Sequence, residues 1–477
     1  MTTLDVTSFL GREHRGPPLL RMPTELLHDI FTYLTPIEAA NFRRVDKRIA
    51  NIGVDYIVPV VSLVLNEDSF NKLEAIAQHP AIRKRVDSMV FDGNYLEYLD
   101  REHWEEAIYS LDMLLQQDAI SCIGPTGNPD WSVYIAARQT WRSLPHHQCT
   151  KDQLDGAFAE YQQYLQKQSQ LLRADGYLQR ITQALENLPS LKNIVLDTDG
   201  HRNHVGRTEL CRTQIGRTEV GLCTRKPWAV FGSGLCMKRA TREDNYSASP
   251  AEVHAILNSV HRAGLRLENF TCTLLGWSYF SDGPRDYASY SGSLIHLKSM
   301  NLVIASMEDM DGFIDCLSTG RMLRFLTAAP YLESLRIGAH YTMNRWRNRQ
   351  CDLEHLVGGF RWTLLARVTI VDVRAHENVL KGFLDRHSST LRSVVLSNMS
   401  LSDGKWMSIF RMMRSELKLD ALAIRGEFRD EDGIFYFDMF ESVAETSFRS
   451  NVHHYILGAT EDSQLIEAYL NENRFPI

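Results

Sequence analysis

Residues 386–397 read RHSSTLRSVVLS, and the spelling within them, Leu391-x-x-Val394-x-Leu396, organises most of the chain. It consists of a leading Leu, two variable residues, an apolar residue, one variable residue and another apolar residue. Alternate side chains then fall on one face of an extended segment, which is the period of a half-buried strand. Outward from this copy the spelling returns as Leu419/Leu422/Ile424 on one side. On the other side it returns as Leu365/Val368/Ile370, Leu332/Leu335/Ile337, Leu297/Met300/Leu302, Leu267/Phe270/Cys272 and Leu191/Ile194/Leu196. Val86/Met89/Phe91 is an outlying candidate for the first copy. Any one copy is weak, because a chain of 477 residues supplies several by chance. The spacing is better: the last five intervals are 30, 35, 33, 26 and 28 residues.

The segments between copies carry helical stripes. Ser249-Pro250-Ala251-Glu252 spells a capping box, Val253, Ile256, Leu257 and Val260 follow it on one face, and Gly264 ends the helix. Phe313, Leu317, Leu323 and Leu326 occupy the next such segment, with Gly320 a candidate break; Val379, Leu380, Phe383 and Leu384 mark another, and Trp406, Ile409, Phe410 and Met413 the last. The expected fold is α/β: strand–helix units stacked on parallel strands, burying a core that no single unit buries alone, at a period close to or slightly above that of leucine-rich repeats. The repeat is irregular. The Asn or Cys expected eight residues after the leading Leu is replaced by Asp199, Leu275, Ala305, His340, Val373, Met399 and Glu427, so no regular asparagine ladder forms and curvature is not fixed. The variable residues face outward on the concave side: Asn193 and Val195, Asn269 and Thr271, Ser299 and Asn301, Ser334 and Arg336, Arg367 and Thr369, Ser393 and Val395, Ala421 and Ala423. This mixed polar surface suits a folded protein face or a peptide better than a polyanion. Asn269, Thr271, Asn301, Arg336, Arg367 and Thr369 are its candidate binding residues.

At the other end, residues 19–60 read LLRMPTELLHDIFTYLTPIEAANFRRVDKRIANIGVDYIVPV. Leu26, Ile30 and Leu34, with Leu27 and Phe31 beside them, make an apolar stripe at helical period from about Pro23 to Leu34. Thr35-Pro36-Ile37-Glu38 spells a capping box that opens a second helix, with Phe42, Val45 and Ile49 on its apolar side and Arg43, Arg44, Lys47 and Arg48 solvating the other. This ordered set, Met22-Pro23, Glu25-Leu26-Leu27, Ile30-Phe31, Tyr33-Leu34, Thr35-Pro36 and Arg43 to Arg48, resembles the F-box. Met22, Ala39 and Ile49 depart from the family's usual residues but remain apolar. The later half, at 386–406 and at His79-Pro80 with 86–93, also resembles the leucine-rich repeats of fungal F-box proteins of unknown substrate.

The resemblance implies an intracellular, cytoplasmic or nuclear, substrate-receptor subunit of a Skp–cullin–F-box ubiquitin ligase. Its partners would be a Skp-type adaptor, through it a cullin, and an unknown protein target. Pro23, Leu26, Leu27, Ile30, Phe31, Leu34, Phe42 and Val45 are the candidates to fill the adaptor's groove, although some of them must instead hold the helices together. A repeat scaffold that never joins a ligase is the alternative. The expected division is a tail at 1–18, the F-box at 19–60, a helical connector at 61–190 with a possible repeat strand near 86–91, and the repeat domain at 191–477. A basic insertion at 200–248 interrupts the last.

The remaining features point away from other classes. The net charge of −7 argues against general nucleic-acid binding. No apolar run is long enough for a membrane span or a signal peptide. Eight scattered cysteines without a Cys-x-x-Cys pair suit a reducing compartment. No catalytic residues, metal ligands or cofactor are expected. His201, His204, Cys211, Cys223 and Cys236 lack the tight pairs that zinc uses, and Gly232-Ser233-Gly234 lacks the third glycine of a dinucleotide loop. Asp430-Glu431-Asp432-Gly433 reads as an acidic turn rather than a calcium loop.

Overall fold

Each copy of the spelling lies on a strand. The computed structural model describes residues 18–34, 36–53, 60–93, 98, 100–102, 151–173, 176–197, 220–221, 250–281, 288–306, 310–341, 351–437 and 456. Among them the strands are β1 (Val60–Val64), β2 (Ser88–Asp92), β3 (Asn193–Asp197), β4 (Val220–Gly221), β5 (Asn269–Gly276), β6 (Ser299–Ser306), β7 (Ser334–Tyr341), β8 (Cys351–Asp352), β9 (Arg367–Val371), β10 (Val373–His376), β11 (Ser393–Asp403), β12 (Ala421–Asp430) and β13 (Gly433–Phe437). They join one sheet in the order β13-β12-β11-β9-β7-β6-β5-β3-β2-β1-β4, with β10 and β8 branching from β11. Every described pairing is parallel except the β12–β13 hairpin.

The spelling sets the register. Asn193, Asn269, Ser299, Ser334, Arg367, Ser393 and Ala421, the second variable residue of each copy, stand side by side across seven strands. Ahead of them runs a backbone relay: Glu268 donates to the Lys192 carbonyl, Lys298 to Glu268, Glu333 to Lys298 and Arg392 to Ala366, each at 2.8 Å. The apolar positions then share one face. Ile194, Leu196, Phe270, Cys272, Leu302, Ile337, Ile370, Val394, Leu396 and Ile424 are all fully buried there. Helices cover that face, among them Gly176–Glu186, Pro250–Arg262, Glu377–Arg386 and Trp406–Glu416, and their stripes join the strands in one continuous core. Gly320, at φ +66°, separates helix Met310–Ser318 from helix Arg321–Thr327, the break its position suggested.

Two expectations change. The sheet does not begin at residue 191: β2 is the strand expected near 86–91, and β1, which was not expected, extends the sheet further into the connector. β1 was hidden because Val60-Val61-Ser62-Leu63-Val64 is buried on both faces, so it shows no alternation and has no leading Leu. The second F-box helix is two helices. α1 (Thr24–Tyr33) is followed by α2 (Pro36–Phe42) and α3 (Lys47–Gly53). The break falls at Asp46, whose side chain accepts the Arg48 N–H at 2.7 Å and so caps α3 instead of continuing α2.

These three helices have a core of their own. Leu27, Phe31, Ala39, Ile49 and Ile52 are buried together, with Leu19, Met22, Ile30, Leu34 and Phe42 against them. Phe31 and Phe42 meet with ring centroids 5.2 Å apart.

Candidate functional site

The helical unit presents a face that its core does not use. Leu26, half-buried Ile30 and Tyr33 fall at i, i+4 and i+7 on α1, so they line one side of it. Leu26 is 45% exposed, Tyr33 88% and Val45 57%, and Pro23 is exposed beside them. Large apolar side chains left in water on a unit with its own core make this side of α1 a candidate contact surface. The eight sequence candidates therefore divide. Leu27 and Phe31 are 0% and 1% exposed, so their expected direct role at a partner surface is corrected to holding the unit together. Leu26, Pro23 and Val45 are available, and Ile30, Leu34 and Phe42 are half-buried at the margin.

Sequence reading missed three residues here. Tyr33 is the most exposed large apolar side chain of the unit, and its spacing of three from Ile30 and seven from Leu26 was the available signal. Arg43 and Arg48 were expected to be solvated. Arg48 is exposed, and both also bind across the unit: Arg43 Nε donates to the Ala50 carbonyl at 2.8 Å, and Arg48 Nη2 donates to the Met22 carbonyl and to Thr24 Oγ1, each at 2.9 Å. They tie α3 to its neighbours. Their stems cover apolar surface while their heads supply fixed hydrogen bonds.

The second surface is the sheet face opposite the covering helices. The register brings Thr271, Asn301, Arg336 and Thr369 into one row, with Val195 at one end and Val395 and Ala423 at the other. Asn269 and Arg367 lie one row back. All six sequence candidates thus share a face, but they are not equally open. Thr271 and Asn301 are 4% and 7% exposed, and Asn269 donates to Asn193 Oδ1 at 2.5 Å. The expected contact of Thr271 and Asn301 with a target is corrected: both are enclosed, Asn269 is half-buried, and Val60, Val90 and Val195 form a small second core at this end of the face. From β7 onward the face opens. Arg336 and Arg367 are exposed, and Thr369, Val395 and Ala423 are half-buried between them and the far edge. Burial and the nearby Arg425 charge push the Arg336 guanidinium below the usual arginine range, and Asp372 pulls it back in part.

The edge where the strands begin carries an ion ladder. Glu268 bridges Lys192 Nζ at 2.9 Å and Lys298 Nζ at 2.8 Å. The hydrogen bonds from Lys298 and then Lys192 hold its carboxyl below the usual range.

Nothing in the described residues assembles a metal site: no three His, Cys, Asp or Glu cluster so as to hold an ion. Asp430–Gly433 is the acidic turn expected, with Asp430 accepting the Asp432 N–H at 3.1 Å and the Trp406 N–H at 3.3 Å. Cys272, Cys316 and Cys351 are buried thiols. No described helix is long and apolar enough to cross a membrane. The Thr35 cap, residues 1–17, all of the basic insertion except β4 and the His201–Cys236 candidates lie outside the described residues.

Comparison with known families finds a match to the F-box domain over residues 19–47. That span begins at the first residues packed on the helical core and ends at the start of α3. No curated protein matches the chain.

Proposed function

We propose that this F-box protein is a substrate-receptor subunit of a Skp–cullin–F-box ubiquitin ligase, with the F-box docking on a Skp-type adaptor and the open sheet face holding a target protein. The observation that carries this reading is an F-box match over residues 19–47 that coincides with a self-contained helical unit whose α1 leaves Leu26 and Tyr33 exposed on one side, with half-buried Ile30 between them. F-box domains typically bind adaptors of this kind, and a central aromatic within an aliphatic cluster is the composition of an interface hot spot. The eight residues first considered enter in two roles: Leu26, Pro23, Val45 and the edges of Ile30, Leu34 and Phe42 contact the adaptor, and Leu27 and Phe31 hold that surface in shape.

The strand–helix units are read as irregular leucine-rich repeats. Their in-register parallel strands and one-sided helices support this. The target is held at Arg336, Arg367 and Thr369 and the residues beside them. The chain supplies proximity, and ubiquitin transfer belongs to other subunits.

Co-purification tests the assembly. Full-length chain expressed with a Skp-type adaptor and a cullin is expected to recover both, and the Leu26→Glu/Tyr33→Glu double variant to recover neither. Recovery of the adaptor without cullin would favour a scaffold outside the ligase.

A further inference from the structure

The order of the strands reverses once. β1 to β2, β5 to β6 and β6 to β7 all advance in one direction through the sheet, and the helices between them pack into the main core on one face. β3 to β4 runs the other way. The chain leaves β3 at Asp197 and returns at Val220, which pairs with Val61 on the far side of β2 and β1. Parallel strands are joined by right-handed crossovers, because a right-twisted strand packs back onto its sheet only that way. A crossover that advances in the reverse direction keeps that hand only on the opposite face. The connection 198–219 is thus directed over the helix-free side of β2 and β1. The span is short. Val220 lies in the row of Val61, Met89 and Ile194, three strands across from β3 and three residues back from Asp197. At about 4.8 Å per strand and about 3.3 Å per residue the two ends stand roughly 17 Å apart, well within reach of that length of chain.

The same end of that face is shut off from water. Val60, Val90 and Val195 are 1%, 1% and 6% exposed and form a cluster apart from the main core, with Ser62 and Ser88 buried beside them. No described helix contributes a residue to this cluster. At the other end the equivalent positions are open. Val395 shares the row of Val90 and Val195 and is half-buried, and Arg367 and Ala421 share the row of Ser88 and are exposed.

The connection has the residues for an apolar floor. Val205, Leu210 and Ile215 recur at every fifth position, each with an arginine two places on, at Arg207, Arg212 and Arg217. The next apolar member of the series is Val220, the residue seated beside Val61. A series that ends on the edge strand has its earlier members in reach of the three valines, with the arginines left for solvent.

We propose that residues 198–219 occupy the β1–β3 end of the helix-free face, packing Val205, Leu210 and Ile215 against Val60, Val90 and Val195. The chain itself then fills this end, and a target is confined to β7 through β12. The placement rests on strand order and burial. The confinement of the target rests on the reading of the sheet face as the target-binding surface.

A diazirine-bearing leucine analogue at Val90 of the full-length chain tests the placement without any target. Irradiation and peptide mapping are expected to join Val90, beyond its strand neighbours, to residues 203–217. Cross-links to residues 103–149 or 438–477 instead, or to strand neighbours alone, would overturn it. Thiol labelling of Val90→Cys and Val395→Cys variants, read peptide by peptide, is a second measurement. In the intact chain Val90→Cys should react about ten-fold more slowly than Val395→Cys, as a site does that must open locally first. Replacing residues 198–249 by a Gly/Ser linker should bring the two rates together while Val395→Cys keeps its own. Equal rates in the intact chain, or protection of Val90→Cys that survives the replacement, count against the placement. The target-binding reading fails separately: Arg336→Gln with Arg367→Gln then leaves target capture unchanged while the cross-link from Val90 persists.

Discussion

Phe31 closes the core of the F-box unit against Gly53, and it does so because Gly53 has no side chain. A Cβ built there would stand 2.5 Å from Phe31 Cζ and would also strike the stem of Arg43. The end of α1 and the end of α3 are thus joined through the absence of one carbon. Gly53→Val is expected to destabilise the unit by about 1–3 kcal/mol, the usual cost of overpacking. Hydrogen exchange should accelerate across residues 24–53 and stay unchanged across β5 to β11.

His387 offers a pH test of the sheet domain. Its Nε2 accepts the Trp362 N–H at 3.0 Å and its Nδ1 lies 2.7 Å from the Phe383 carbonyl, so the ring is neutral, with its proton on Nδ1. Burial holds its pKa below the ordinary histidine value, with only the Phe383 carbonyl pulling upward. The unfolded chain therefore takes the proton first as pH falls. The stability supplied by neutral His387 is complete above about pH 6.5 and is lost as pH drops from there through the depressed folded value, with a slope of at most about 1.4 kcal/mol per pH unit. His387→Leu should flatten this part of the profile and cost about 1–3 kcal/mol at neutral pH, because the buried Trp362 N–H then has no acceptor. Urea unfolding followed between pH 5 and pH 8 reads both effects.

The Glu268 ladder predicts a smaller effect with the opposite type of group. Its carboxyl is held down by Lys298 and Lys192, so its contribution is present above the ordinary glutamate range and disappears as pH falls through its lowered folded value. Glu268→Gln should remove that acid-side dependence. Because the lysines are more than half exposed, the loss in stability at neutral pH should be small and should vanish at high salt. A thermal unfolding series in salt decides it.

What could be read from sequence followed from how each signal is made. The alternating spelling located β3, β5, β6, β7, β9, β11 and β12, because a strand covered on one face by helices must alternate. The same logic concealed β1, which is buried on both faces. At the F-box, the order of residues was legible, but helical period assigns Leu26, Leu27, Ile30 and Phe31 to one broad stripe. Only packing separates Leu27 and Phe31, which are buried in the helical core, from Ile30, half-buried at its edge, and Leu26, which is exposed. On the sheet, the pleat gave the correct side for Thr271 and Asn301 without showing how enclosed that end of the face is. The staples from Arg43 and Arg48 depend on turns between helices, which no local pattern records.

The claim most exposed to test is that one end of the chain grips an adaptor and a different surface takes the target. Calorimetric titration of a Skp-type adaptor into full-length chain measures this directly. The account predicts that Leu26→Ala with Tyr33→Ala costs about 2 kcal/mol or more of adaptor affinity, and that Arg336→Gln with Arg367→Gln leaves the affinity at the wild-type value. Adaptor binding unchanged by the α1 pair, or lost with the arginine pair, would contradict it.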